Sequence, residues 1–304
     1  MSREISSQSI DNPAINYLIS LQSAKSRQTM QSFLNIVARF LGFSDLMTCP
    51  WHQLKRQHIQ AILKHLLDKN RSPSTINTYL AAIKGVVLEA WSMKLMDTET
   101  FQRIKQIKSV HGSRVTKGRA LSHDEIAKIF STLLLDPSPK GIRDSAIMAV
   151  LIGCGLRRTE LVTLDLEHIE RSEQLFIVSG KGNKQRKSFI PQSVWGRVMT
   201  WINDVRGEYG GALFTRIRRF DDVTLERLTD QAIYHILKVR QQESGIAPFS
   251  PHDLRRTFAS MMLDNGEDIV TVKDAMGHAS INTTQRYDRR GDERLRKASQ
   301  KLIF

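Results

Sequence analysis

Four short segments of this 304-residue chain carry side chains able to make and break bonds, and their fixed order is the reason to read them together. The first is Gly155-Leu156-Arg157-Arg158-Thr159-Glu160-Leu161. Arg157 follows a glycine break at a helix start, and Glu160 at i+3 can orient its guanidinium. Alone this means little, because such pairs are usually solvated surface pairs. The second is Gly180-Lys181-Gly182-Asn183-Lys184, a glycine-rich turn. Lys181 can project from it into a cleft as a mobile proton donor, although a surface turn lysine is the commoner case. The turn is not a P-loop, since no Gly-Lys-Ser/Thr closes a long glycine-rich stretch.

The third segment is Ser250-Pro251-His252-Asp253-Leu254-Arg255-Arg256-Thr257-Phe258. Ser250 caps a helix and Pro251 starts it, so His252 and Arg255 share its first-turn face. A helix N-terminus favours anions, and an imidazole with a guanidinium there suits a phosphate. By itself it could equally be a capped surface helix. The fourth is Met276-Gly277-His278-Ala279-Ser280, followed by Thr283-Thr284-Gln285-Arg286-Tyr287, with Tyr287 nine residues past His278. A lone tyrosine is usually packing or surface.

Together the segments describe one chemistry. Two arginines neutralise the non-bridging oxygens of a phosphodiester, and a tyrosine attacks its phosphorus. A histidine handles the tyrosine proton, and a lysine protonates the leaving sugar oxygen. There is no carboxylate cluster and no Cys/His metal set in these motifs, so no cofactor or metal is expected. Arginine and lysine charge does the work that nucleases often take from Mg²⁺.

With these motifs the chain resembles the tyrosine recombinase (phage integrase) family, most closely its compact Xer-like two-domain members. The spacings match: 24 residues from Arg157 to Lys181, 3 from His252 to Arg255, 26 from His252 to His278. The resemblance implies that Arg157 and Arg255 are the catalytic arginines and Lys181 the hairpin general acid. It makes His252 the proton-transfer histidine, His278 the last phosphate-binding position and Tyr287 the nucleophile of a 3′-phosphotyrosyl link. Glu160 matches the acid that braces the first arginine, and Arg158 and Arg256 are neighbours not to be confused with the catalytic pair. It further implies inverted DNA half-sites, a homo-tetramer, strand exchange through a Holliday junction, and room for an accessory DNA-bending protein or partner recombinase. A type IB topoisomerase-like relaxase and a catalytically silent DNA-binding regulator are the alternatives. A helical N-terminal domain, and a tail of 17 residues after Tyr287, weigh against the relaxase.

Composition sets the frame for these residues. At 40% hydrophobic and 25% charged the chain is globular, and its length suggests two domains. It has no run of ~18 apolar residues and no secretory leader. Cys49 and Cys154 are too few for a disulfide framework, which implies a reducing, cytoplasmic setting. A net charge of +14 points to a polyanion, nucleic acid rather than membrane. Residues 1–105 contribute +6 (13 basic, 7 acidic) and residues 106–304 contribute +8 (32 and 24), so both halves are expected on one DNA backbone.

The fold class read from the sequence is mainly α with a small β-hairpin or sheet. Residues 1–103 form an all-helical, SAM-like core-binding domain, residues 104–119 a basic linker, and residues 120–304 a mixed α/β catalytic domain. Helices are expected from Asn12-Pro13, over Ser23–Leu41 and Lys55–Leu67, and from a Ser72-Pro73 cap. Core-binding sequence beginning near Asp11 suggests that an extra arm-binding domain is lacking. Lys108, Arg114, Lys117 and Arg119 in the linker, with Lys184 on the hairpin, are the expected DNA-backbone contacts. A capping box, Ser122 to Glu125, opens the second domain, and a hairpin spans 174–191. After Pro191 the pattern reads as helical to the end, closing with a tail helix over 292–304.

Overall fold

The computed structural model describes residues 11–112, 118–180, 185–278, 280–285 and 299–300. Arg114, Lys117, Lys181, Lys184, Tyr287 and all of the tail but Ser299 and Gln300 lie outside the described residues. The chain divides into two compact units, Met1–Thr116 and Lys117–Phe304.

Five α-helices build the first unit among its described residues: α1 Pro13–Ser20, α2 Ala24–Phe40, α3 Arg56–Asp68, α4 Pro73–Ser92 and α5 Thr98–Lys105. Asn12, Ser23, Ser72 and Asp97 cap four of them by accepting backbone N–H bonds. The core forms around α4, whose Ile76, Leu80, Ile83, Val86 and Val87 meet Leu34 and Val37 of α2 and Ile59 and Ile62 of α3. Gly85 lets α1 lie close, because a Cβ there would sit 2.2 Å from the Tyr17 ring. Residues 104–110, expected to begin the linker, instead belong to this unit. Ile104 and Ile107 are buried in its core, and Asn77 holds the backbone of Val110 at both N–H and C=O. Apolar side chains at i and i+3 decide their place, where the surrounding charges suggest a basic linker along DNA.

The second unit is organised by α7, Pro139–Gly153, whose residues Ala146–Ile152 are all buried. Around it pack α6 (His123–Leu134), α8 (Arg158–Val162), α9 (Gln192–Thr200) and α11 (Pro251–Asp264). The remaining helices are α10 (Asp230–Glu243), α12 (Ile269–Met276) and α13 (Ile281–Gln285). Strands β1 (Ile169–Glu170), β2 (Leu175–Ser179) and β3 (Gln185–Phe189) form an antiparallel sheet, with Leu175 facing Phe189 and Ser179 facing Gln185. The capping box and the hairpin lie where the sequence places them.

The reading of uniform helix after Pro191 is wrong. Strands β4 (Thr215–Ile217) and β5 (Val223–Arg227) form a second antiparallel hairpin. Its signals are weak for a physical reason. β4 is three residues long, too short for alternation to show, and its turn places Phe220 and Asp221 at positive φ, where glycine or asparagine would announce a turn. The protein is thus mainly α, with two small antiparallel sheets among its described residues. Among the described residues no helix is long and apolar enough to cross a membrane.

A buried charge network ties α7 to α10. Arg240 donates from Nε to Asp144 Oδ2 at 2.8 Å and from Nη1 to Asp136 and Glu243, each at 2.8 Å. Arg143 grips the other Asp144 oxygen at 2.8 and 2.9 Å. Asp144 thus holds two buried guanidiniums and fixes the helix that leads into Arg157. Asp144→Ala strands Arg143 and leaves Arg240 with Asp136 and Glu243 alone, and it is expected to cost ~3–5 kcal/mol in the unfolding of the second unit, measured by denaturant titration. A cost below ~1 kcal/mol, the scale of an exposed pair, would mean that the network is dispensable.

Candidate active site

The site begins at the sharp corner between α7 and α8. Gly155 takes φ +59°, and a Cβ there would lie 2.3 Å from the Phe258 ring of α11, so only glycine permits this approach. Arg157 follows as the N-cap residue of α8. The side chain of Glu160, only 4% exposed, accepts from Arg157 Nη1 at 2.6 Å and from the Arg157 amide at 2.9 Å. The expected brace is therefore present.

α11 delivers the next two residues. Ser250 caps it, and Asp253 returns the capping box by accepting from the Ser250 amide at 2.9 Å. Arg255 is buried and donates to the carbonyl oxygens of Gly155 and Met276, with Nη1 3.9 Å from Glu160 Oε2. His252 sits exposed at the helix start. Desolvation on its inner side, then the guanidiniums of Arg256 and Arg255, outweigh Asp253 and hold its pKa below the usual imidazole value. Arg157, Arg158, Tyr234, Ser250, His252 and Arg255 line one pocket of about 260 Å³.

His278 is buried beside this pocket, after the left-handed Gly277 that ends α12. Its Nδ1 shares a hydrogen bond of 2.9 Å with Thr284 Oγ1 of α13. Burial, followed by the positive charge of Arg255 and Arg157, pushes its pKa down to about 4. Arg157 Nη2 reaches the Gly277 carbonyl at 3.4 Å, which links the first arginine to this corner.

The described residues thus gather Arg157, Glu160, His252, Arg255 and His278, residues drawn from three separate motifs. Two guanidiniums, an imidazole and a helix N-terminus facing one small pocket can hold a phosphodiester and stabilise added charge on its oxygens. Both neighbours of the arginines have other work: Arg158 pairs with Asp230 at 3.2 Å, and Arg256 donates to the Gly118 carbonyl at 3.0 Å. Arg119, expected to track DNA, is engaged within its own unit by Glu125 at 2.7 Å and by the carbonyl of Ala247. The sequence reading missed Arg186. It lies on β3, and its guanidinium grips both oxygens of Glu160, at 3.1 and 2.9 Å. Only its place five residues beyond Lys181, on the strand leaving the hairpin turn, could have drawn attention to it.

Two other features stand apart from these residues. Asp165, Glu167 and His168 bring ligand-type atoms within 4.8 Å of one another, but Asp165 is already paired with Arg227. A larger cavity, about 930 Å³, is lined chiefly by apolar side chains including Ile126, Phe130, Val194, Phe258, Met261 and Met262.

Comparison with known proteins agrees with this arrangement. Residues 119–294 match the model of the phage integrase family, and residues 15–94 match that of its N-terminal SAM-like domain. Among similar proteins, tyrosine recombinase XerC of Herpetosiphon aurantiacus is 29% identical over 90% of this chain and 86% of its own. Tyrosine recombinase XerD of Listeria monocytogenes is 28% identical over 90% and 91%. The fold is shared with the Tn1549 transposon integrase in complex with a circular intermediate DNA (TM-score 0.69, 16% identity, 96% and 99% covered). It is shared too with a lambda integrase dimer bound to a COC′ core site (TM-score 0.68, 17% identity, 93% and 95% covered). A family model spanning more than half of the chain, over the unit that carries the arginine–histidine pocket, places this protein in the phage integrase family of tyrosine-type DNA strand transferases.

Proposed function

We propose that the protein is a site-specific DNA recombinase that cuts and rejoins DNA through a 3′-phosphotyrosyl intermediate, with Tyr287 as nucleophile. The convergence of Arg157, Arg255 and His252 on one pocket, with Glu160 behind, is the observation that carries this reading. The arginines hold the non-bridging oxygens of the scissile phosphate and stabilise the charge that grows on them. Tyr287 Oη bonds to phosphorus and its proton passes to His252, whose lowered pKa favours the neutral form that can accept it. The bond from phosphorus to the 5′ oxygen breaks, and Lys181 protonates that oxygen. His278 adds a donor to the phosphate. The new ester conserves the energy of the old one, so a 5′-hydroxyl from a second strand reverses the step without any cofactor.

Assembly follows the family pattern in this proposal: four protomers on inverted half-sites, with exchange through a Holliday junction on cytoplasmic, nucleoid DNA. Lys108, Arg114, Lys117 and Lys184 add backbone contacts. The tail after Gly291 carries Leu295, Ala298 and Leu302 at i, i+3 and i+7, too short an apolar stripe to be stable alone. We assign its seat to the apolar cavity beside Phe258 and Met261 on a neighbouring protomer.

On a nicked suicide substrate, Tyr287→Phe is expected to bind half-site DNA normally and to form no covalent adduct, scored by denaturing gel. Adduct formation by this variant at the usual phosphate would remove Tyr287 as nucleophile. For the general acid, Lys181→Ala cleavage should recover on a substrate whose 5′-bridging oxygen is sulfur, because a thiolate leaves unprotonated. Lys184→Ala should show no such recovery, and the opposite pattern means that Lys184 is the acid. Ending the chain at Gly291 should leave single half-site binding intact while abolishing cooperative binding to paired half-sites and recombination. Retained recombination by the shortened chain would show that the tail docks on its own unit.

A further inference from the structure

We propose that Arg186 is a positioning residue of this site: from β3 it grips Glu160 and the end of α12, and so holds Arg157 open toward the pocket and His278 in place. The proposal rests on the recombinase reading given above.

A carboxylate has about four lone-pair positions for hydrogen bonds. At Glu160 all four are taken, two by the Arg186 fork and two by Nη1 and the amide of Arg157. An arginine alone with a carboxylate prefers to close on it with two parallel bonds. Arg186 occupies the positions that such a closure needs, so the Arg157 guanidinium reaches Glu160 through Nη1 only. The exposures agree with this division of labour. The Arg157 side chain is 41% exposed and lines the pocket, whereas the Arg186 side chain is 16% exposed and does not.

Arg186 also sets the turn before His278. Its Nε donates to the Ala275 carbonyl at 3.3 Å, and its Cδ lies 3.0 Å from where a Cβ would stand on the left-handed Gly277. The residue lies on the strand that leaves the hairpin turn bearing Lys181. One side chain thus joins three of the four motifs, without facing the pocket itself.

Among the described residues, the charged groups paired with or near Glu160 are Arg157, Arg186 and Arg255. Burial works to raise the Glu160 pKa, but hydrogen bonds from Arg186 and then from the Arg157 amide hold it below the usual carboxylate value. Removing Arg186 leaves the burial and takes away the strongest opposing group. The Glu160 pKa then rises, and Arg157 loses its anchor as pH falls.

The test is single-turnover cleavage of a suicide half-site as a function of pH. Arg186→Gln is expected to slow cleavage at least about tenfold at neutral pH while half-site affinity stays within about twofold. Its acid limb should move toward neutrality. Arg186→Lys, which keeps the charge and loses the fork, should hold the acid limb near its original position and recover part of the rate. In a Glu160→Gln background, Arg186→Gln should add little further loss. A rate within about twofold of wild type overturns the proposal. So does a uniform loss with an unmoved acid limb, or an undiminished Arg186→Gln effect in the Glu160→Gln background. Failure of the wild-type protein to cleave would instead count against the recombinase reading.

Discussion

A single buried carboxylate lies among three guanidiniums in this unit, and the geometry of the site hangs on it. Glu160 is hydrogen-bonded to Arg157 and Arg186 and lies within 3.9 Å of Arg255. An ionised carboxylate taken out of water loses several kcal/mol of hydration, and only close, well-formed partners recover it. Four hydrogen bonds do so here. The balance of charge matters as much as the geometry: three positive groups face one negative group. The cluster keeps a surplus of positive charge at low dielectric, which is the condition for drawing in a phosphodiester.

Burial first, and then the same surplus of positive charge, acts on the two histidines. An imidazole close to guanidiniums gives up its proton more readily, and both His252 and His278 are held below the ordinary value. A bound phosphodiester brings a negative charge into the pocket and opposes that effect. Each histidine therefore takes a proton more easily once substrate is in place than before. His252, exposed at the pocket rim, has the access that proton transfer requires. His278 is buried and bonded to Thr284, and in the proposed reaction it orients a phosphate oxygen.

The sequence displayed what is local and withheld what is long-range. Helix starts at Asn12, Ser23, Ser72, Ser122 and Ser250, the hairpin over 174–191 and the Arg157–Glu160 pair are decided within a few residues, and they are legible in the sequence. The bonds that turn motifs into a site are not local. Arg255 reaches Gly155 across 100 positions, and Arg186 reaches Glu160 across 26. No spacing rule reports such contacts, and Arg186 belongs to no motif by its own pattern. The linker boundary failed for a related reason. Lys105 and Lys108 read as part of a basic strip along DNA, yet Ile104 and Ile107 beside them are decisive because α4 offers them a core. Hairpin β4–β5 stayed hidden because its turn is made with phenylalanine and aspartate rather than glycine.

The end of α12 explains why the arginines and His278 act as one unit. A helix leaves its last carbonyl groups without intrahelical partners, and a left-handed residue after the helix satisfies only some of them. Here the amides of Gly277 and His278 return to Asp274 and Lys273. Three carbonyl groups remain, and each meets an arginine: Ala275 meets Arg186, Met276 meets Arg255 and Gly277 meets Arg157. The partial negative charge at this helix end suits cations, so the contact is favourable in its own right. It also means that these guanidiniums are held in place by the protein itself, as the proposed phosphate site requires. Placing His278 directly after this corner ties its position to the same three side chains. A shift of one arginine that uncovers a carbonyl therefore removes one of the contacts that fix the turn carrying the histidine.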